Sequence, residues 1–153
     1  MASIHKEILI NASPEDVWAA IRDVGAVHMR LTPGILVAAR LEGDARVVTF
    51  DSGAVVRELI VDIDDEARRF AYAAVGGRTT HHNASMQVFA EGENRSRLVW
   101  ITDLLPNEGA PAIQELVERG AATMKQTLEA QSSKGKQNGN FSQQNSTPYR
   151  IAQ

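Results

Sequence analysis

The strongest constraint on this chain lies between residues 110 and 131. Ile113, Leu116, Val117, Gly120, Ala121, Met124 and Leu128 recur at the i, i+3, i+4, i+7 spacing of one helical stripe. Gln114, Glu115, Glu118, Arg119, Lys125, Gln126 and Glu129 fall on the opposite side. The segment therefore reads as an amphipathic helix. At ~1.5 Å per residue it is about 30 Å long, enough to cross a small sheet from edge to edge. Pro111 suits only a first helical turn, where its missing N–H costs nothing, and Glu115 and Glu118 lie toward the positive end of the dipole. The start is therefore set near residue 110. The stripe is thin at Gly120 and Ala121, where a packed core would carry larger side chains, so something else is expected to fill that space.

The remainder of the chain supplies the sheet. Ile4, Lys6, Ile8 and Ile10 alternate with His5, Glu7 and Leu9, which predicts a strand over residues 4–10 with its even positions inward. The period then changes. Ser13 can cap a helix, Pro14 fits its first position, and Asp16 completes a capping-box arrangement with Asp in place of Glu. Helix one is expected over about 14–22, packing through Val17, Trp18 and Ile21, with a second short turn through Val27, His28 and Met29 before Thr32-Pro33-Gly34. Six strands follow, over 35–42, 45–51, 54–63, 68–75, 79–91 and 96–104, separated by Gly-, Asp- and Asn-rich turns. Such short connections imply antiparallel neighbours. The expected fold is α+β: a seven-stranded antiparallel curved sheet wrapped around the long C-terminal helix, with two short helices after the first strand. Residues 1–131 form this domain. Residues 132–153 are rich in Ser, Gln, Asn, Gly and Lys, with only Phe141, Tyr149 and Ile151 as sizeable apolar groups, and read as a disordered tail.

Composition excludes several function classes. With 153 residues and 43% hydrophobic content the chain supports one domain with a core. It has no cysteine, so disulfides and thiolate zinc sites are out and a cytoplasmic location is the default. The amino terminus lacks the unbroken apolar run of a signal peptide, and no segment approaches membrane-spanning length. Net charge is −3 and the basic residues are scattered, which argues against a nucleic-acid partner.

The order strand, two helices, strands, helix, together with "Ala12-Ser13-Pro14-Glu15-Asp16-Val17-Trp18" and a late "Trp100…Pro106" before the last helix, resembles the START-like, helix-grip superfamily that includes the birch-pollen-allergen-like proteins. Within it the chain looks like the polyketide cyclase/dehydrase and lipid-transport family, over residues 3–131. The segments "Asp51-Ser52-Gly53-Ala54", "Asp64-Asp65-Glu66-Ala67-Arg68" and "Gly76-Gly77-Arg78-Thr79" are also similar to those bearing the gate and latch loops of plant abscisic-acid receptors. That resemblance implies a gate at 51–54, a latch at 76–80, and a cavity lined from the helix by Leu116, Gly120 and Met124. The receptors hold the hormone carboxylate with a lysine on the strand before the gate hairpin. This chain has no lysine between Lys6 and Lys125, and it lacks the gate proline and the latch His–Arg pair, so abscisic acid is not the expected ligand.

The two-residue period points Phe70, Tyr72 and Ala74 inward on one strand, and His82, Ala84, Met86 and Val88 on another. For residues 54–63 the period is ambiguous: the pattern favours Arg57 inward, whereas the resemblance favours Glu58, with Val56, because family members often carry an inward Glu there. A buried Glu58 near His82 and Tyr72 would form a polar cluster in an apolar cavity, able to hydrogen-bond a ligand or to act as acid and base. The alternative is structural, with Glu58 paired to an arginine and His82 satisfied by backbone. His81 and His82 point to opposite faces of a strand and cannot share a metal ion, and neither a metal nor a cofactor is expected. Trp100 reads as core packing or, on an outward face, as part of a homodimer patch. The leading expectation is binding or carriage of a small hydrophobic molecule between sheet and helix. A cyclase, aromatase or dehydratase using Glu58, His82 and Tyr72 is the first alternative, and a protein-interaction module the second.

Overall fold

At Ser13 the chain leaves the sheet and turns into a helix. In the computed structural model, which describes residues 1–143, the Ser13 hydroxyl accepts the backbone N–H of Asp16 at 3.2 Å. This caps α1 (Pro14–Arg22), whose Val17, Trp18, Ala20 and Ile21 are buried. A single 3₁₀ turn (Val24–Ala26) leads into α2 (Val27–Arg30). This excursion joins β1 (Ala2–Ile10) at one edge of the sheet to β2 (Leu36–Glu42) at the other. From there hairpins run back through β3 (Ala45–Phe50), β4 (Val55–Asp64), β5 (Arg69–Val75), β6 (His81–Ala90) and β7 (Ser96–Leu105). The order is β1-β7-β6-β5-β4-β3-β2, antiparallel throughout, and β7 closes on β1 in unbroken register from Ala2↔Leu104 to Ile10↔Ser96. The curved sheet and the long helix α3 (Ala110–Gln143) that lies on it are the helix-grip architecture.

The ambiguous period of β4 has a physical cause. Its pairing with β5 shifts between Ile60 and Asp62, a bulge that leaves Val61 as the extra residue. Before it Val56, Glu58 and Ile60 turn inward; after it Ile63 does, and Val56, Ile60 and Ile63 pack on the core. Val55, Leu59 and Val61 are left on the outside. Arg57 therefore faces out, where its guanidinium bonds Glu42 at 2.9 Å, against the parity that pattern alone favours. Trp100 is not part of an outward patch: Leu98, Trp100, Thr102 and Leu104 are the buried positions of β7 that face α3.

Polar contacts fix α3 and α1 to the sheet at its ends. Lys6 Nζ meets Glu118 at 2.7 Å; Lys125 Nζ donates to the Leu9 carbonyl at 2.6 Å, and Glu129 accepts the Asn11 backbone N–H at 3.0 Å. The Asp65 carboxylate, in the β4–β5 turn, receives Trp18 Nε1 at 2.9 Å and Arg22 Nε at 2.7 Å. Ser96, fully buried, donates to the Ala12 carbonyl at 2.7 Å. The apolar stripe of α3 ends at Leu128, but the helix continues to Gln143, beyond the end near residue 131 that the stripe alone sets. Of the segment 132–153 expected to form a disordered tail, residues 144–153 lie outside the described residues.

Two outcomes follow from this packing. Leu128, 3% exposed, is expected to cost about 2–5 kcal/mol when replaced by Ala, whereas Leu116, half-buried, should cost under about 1.5 kcal/mol; urea denaturation of the two variants checks this. Asp65, Glu118 and Glu129 titrate below the usual carboxylate range, held there by hydrogen bonds from Arg22 and Trp18, from Lys6, and from the Asn11 N–H with Lys125, respectively. A carboxyl whose folded pKa is depressed stabilises the fold above its unfolded pKa, and that contribution disappears as pH falls through the folded value. The urea midpoint should therefore drop below about pH 4, the ordinary carboxylate range, and drop less steeply in Asp65→Asn.

Candidate functional site

A cavity of about 430 Å³ lies between the concave face of the sheet and the N-terminal half of α3. Its floor takes two or three inward residues from each of five strands: Arg46, Val48 and Phe50 of β3, Val56 and Glu58 of β4, Tyr72 and Ala74 of β5, His82 and Met86 of β6, and Trp100 and Thr102 of β7. Ile113, Leu116, Val117, Gly120 and Met124 of α3 form its roof, and Val27, Thr32, Ile35 and Leu36 close one side. Gly120 is where the helix passes over the Trp100 indole. A Cβ at Gly120 would stand 3.2 Å from both Cη2 and Cζ3 of that ring. The space left by the thin stripe is thus partly filled by Trp100, and the cavity is what remains beside it.

The mouth is framed by the β3–β4 turn, with Asp51, Ser52 and Ala54, and by the β5–β6 turn, with Gly76, Gly77, Arg78 and Thr79. Gly76 and Gly77 have φ of 85° and 73°, a left-handed pair that side-chain-bearing residues rarely adopt. Arg119 of α3 reaches the β3–β4 turn, 3.7 Å from Asp51. Two expected residues are absent from the wall. Gly53 sits at the turn tip, and Ala84 lies in the cross-strand row between Tyr72 and Thr102, where its short side chain does not reach past its neighbours.

The decisive polar contact of the floor is between Arg46 and Glu58. Arg46 Nε donates to Glu58 Oε1 at 2.9 Å, and the two side chains are 4% and 12% exposed. Arg46 Nη1 also donates to the Val24 carbonyl at 3.3 Å. Its guanidinium carbon lies 5.1 Å from the Phe70 ring centroid and 5.3 Å from that of Tyr72, and those two rings stack at 5.2 Å. Flat cation, aromatic pair and carboxylate form one desolvated assembly. Glu58 thus pairs with an arginine, as the structural alternative held, yet it still faces the cavity. A cation does stand on the strand before the 51–54 turn, but its charge is matched by Glu58.

Arg46 went unnoticed in the sequence. The available signal was the hairpin itself: with the turn centred on Ser52, Arg46 and Glu58 are equidistant from it, and they are paired in the register.

The environment sets the protonation of the neighbours. Burial pushes the Tyr72 phenol far above its ordinary value, with the Glu58 charge adding to the effect, so the hydroxyl keeps its proton. Burial lowers the His82 imidazole, partly offset by Glu58, so the ring is neutral near pH 7. Trp100 Nε1 is buried and has no hydrogen-bond partner among the described residues, although that side of the ring faces Tyr72.

Residues 1–130 match the family described as polyketide cyclase / dehydrase and lipid transport. The chain belongs to that family. No curated protein matches it in sequence. As a polyketide cyclase / dehydrase and lipid-transport family member it shares the helix-grip fold with solved structures of low identity. The XoxI protein of Bacillus cereus superposes with a TM-score of 0.76 at 20% identity, over 86% of this chain and 99% of that one. Norcoclaurine synthase of Thalictrum flavum, solved with dopamine and hydroxybenzaldehyde, gives 0.66 at 20%, over 96% and 89%. The di-domain aromatase/cyclase BexL of the BE-7585A biosynthetic pathway gives 0.74 at 14%, over 84% of this chain and 47% of BexL. Among the described residues of this family member no helix is long and apolar enough to cross a membrane.

Removing one partner of a buried ion pair strands the other charge. Arg46→Met is expected to destabilise by about 3–5 kcal/mol, and Arg46→Met/Glu58→Leu to recover most of the loss, because apolar replacement of a whole pair is commonly near neutral. Urea unfolding of wild type, single and double variants tests this.

Proposed function

We propose that the protein binds and carries a small, mainly apolar molecule in the cavity between the sheet and α3. The observation that carries this reading is the volume of about 430 Å³ under a helix thinned at Gly120, within the ~300–1,000 Å³ of small-molecule sites. Its wall is aliphatic and aromatic apart from a few convergent polar groups, the composition such sites share. The dopamine and hydroxybenzaldehyde held by norcoclaurine synthase support the use of this fold for small aromatic molecules.

The cyclase-type reading assigns Glu58 and His82 to acid–base roles. Carriage is favoured over it because Glu58 Oε1 is already held by Arg46 inside an aromatic stack. A carboxylate in that setting orients its partner more readily than it exchanges a proton with a substrate.

Native mass spectrometry of the purified, unextracted protein, compared with the denatured mass, is expected to show a discrete mass lost on denaturation. In parallel, 1-aminoanthracene should bind with a fluorescence increase in the refolded, stripped protein. Leu116→Trp, which fills the roof, should weaken that binding at least about tenfold with an unchanged circular dichroism spectrum. Undiminished probe binding in Leu116→Trp would put the probe elsewhere and overturn the assignment.

A further inference from the structure

The acidic and basic side chains that line the cavity do not balance. Arg46, Arg78 and Arg119 stand against Asp51 and Glu58. The inner pair cancels, since Arg46 Nε and Glu58 Oε1 meet at 2.9 Å with their side chains 4% and 12% exposed. Burial keeps the His82 imidazole neutral near pH 7, so it adds no charge to the floor. The excess is therefore one guanidinium, and it lies at the mouth. It runs against the chain as a whole, whose net charge is −3.

The outer three groups are held far less firmly. Asp51 sits in the β3–β4 turn, where its backbone N–H donates to the Ile35 carbonyl at 2.9 Å. Its carboxylate is 3.7 Å from Arg119, with the two side chains about half exposed and no hydrogen bond between them. An exposed ion pair of that length is worth little, so exchanging it for another acceptor costs little. Arg78 follows the left-handed Gly76–Gly77 pair in the β5–β6 turn and makes no ion pair among the described residues. On α3 nearby, Glu118 is bound by Lys6 at 2.7 Å, and Glu115 does not line the cavity. Two guanidiniums, one from a turn and one from the helix, thus stand at the opening of a mainly apolar chamber with one loosely held carboxylate for both.

Resting on the binding role proposed above, we infer that the carried molecule is an amphipathic anion: its apolar body lies in the cavity and a single carboxylate end stays at the mouth, received by Arg78 and Arg119. The planar fork of a guanidinium suits a carboxylate. The reverse orientation fails, because a carboxylate on the floor would be an unmatched charge where Arg46 and Glu58 already satisfy each other. A cationic end would meet the same two arginines as like charges. At the mouth the carboxylate keeps part of its hydration, and Asp51 is the group it competes with for Arg119.

The test uses three ligands of matched shape, 6-phenylhexanoate, 6-phenylhexanamide and 6-phenylhexylammonium, competed against 1-aminoanthracene on the full chain at pH 7.5 in low salt. The carboxylate is expected to bind at least about fivefold tighter than the amide, and the ammonium more weakly than the amide. The readout in each variant is the ratio of carboxylate to amide affinity, which cancels any general change in the cavity. Arg78→Gln and Arg119→Gln should each cut that ratio about twofold, and together bring it close to one. Asp51→Asn, which removes the competing carboxylate, should widen it about twofold. Because both guanidiniums are exposed, about 0.5 M salt should also bring the wild-type ratio close to one, a readout that needs no variant. The inference is overturned if the amide binds as tightly as the carboxylate in low salt, if the ratio survives in the double arginine variant or in high salt, or if it fails to widen in Asp51→Asn. Should none of the three ligands displace the probe, the inference falls, and the binding role falls with it if the purified protein also carries no extra mass. Displacement by all three with equal affinity removes only the anionic end.

Discussion

How closely α3 can approach the sheet is decided by one contact, the Trp100 indole against the bare backbone of Gly120. A helix laid on a curved sheet would ordinarily seal against it with side chains of Leu or Ile size. Here the bulk comes from the sheet and the helix contributes almost none, so the indole acts as a spacer. Toward the C-terminus Leu128 completes the core; from Ile113 to Met124 the helix roofs the space left beside the indole, and a cavity results. A side chain at position 120 would move the indole, and with it the boundary between packed core and open space.

The floor shows how a polar group can be kept in an apolar cavity. Arg46 and Glu58 satisfy each other, the Val24 carbonyl takes a further guanidinium proton, and Phe70 and Tyr72 cover the flat face. Pairing of this kind supplies orientation more than stability, since apolar residues of equal volume commonly do as well energetically. What it provides is a neutral yet strongly dipolar surface, fixed before any molecule arrives.

Much of the fold was legible in the sequence, because its signals are local. The cap at Ser13, the helix at 14–22, the five hairpins and the stripe from Ile113 to Leu128 all follow from period and turn chemistry, and each strand of the structure falls within about two residues of its expected place. The inward set Tyr72, His82 and Met86 was legible for the same reason. What could not be read depends on the register between strands. The bulge at Val61 carries two parities in one strand, which a single-period reading cannot represent. Arg46 carries no local signal of burial, and its place depends on its partner across the hairpin. Trp100 showed neither its direction nor its place under Gly120, because both depend on how a helix some twenty residues later settles on the sheet.

The sheet order has a consequence for how the molecule comes into being. β1 is made first, yet its sole neighbour in the sheet is β7, and Ala2 meets Leu104 across the whole length of the domain. During synthesis from the ribosome the opening strand therefore waits, with its apolar Ile4, Ile8 and Ile10 uncovered, while the meander from β2 onward assembles beside it. Only when β7 has emerged does the closing pair form, and only α3, later still, roofs the concavity. The cavity is thus the last part of the domain to exist, so any molecule that enters it meets a chain that is already nearly folded.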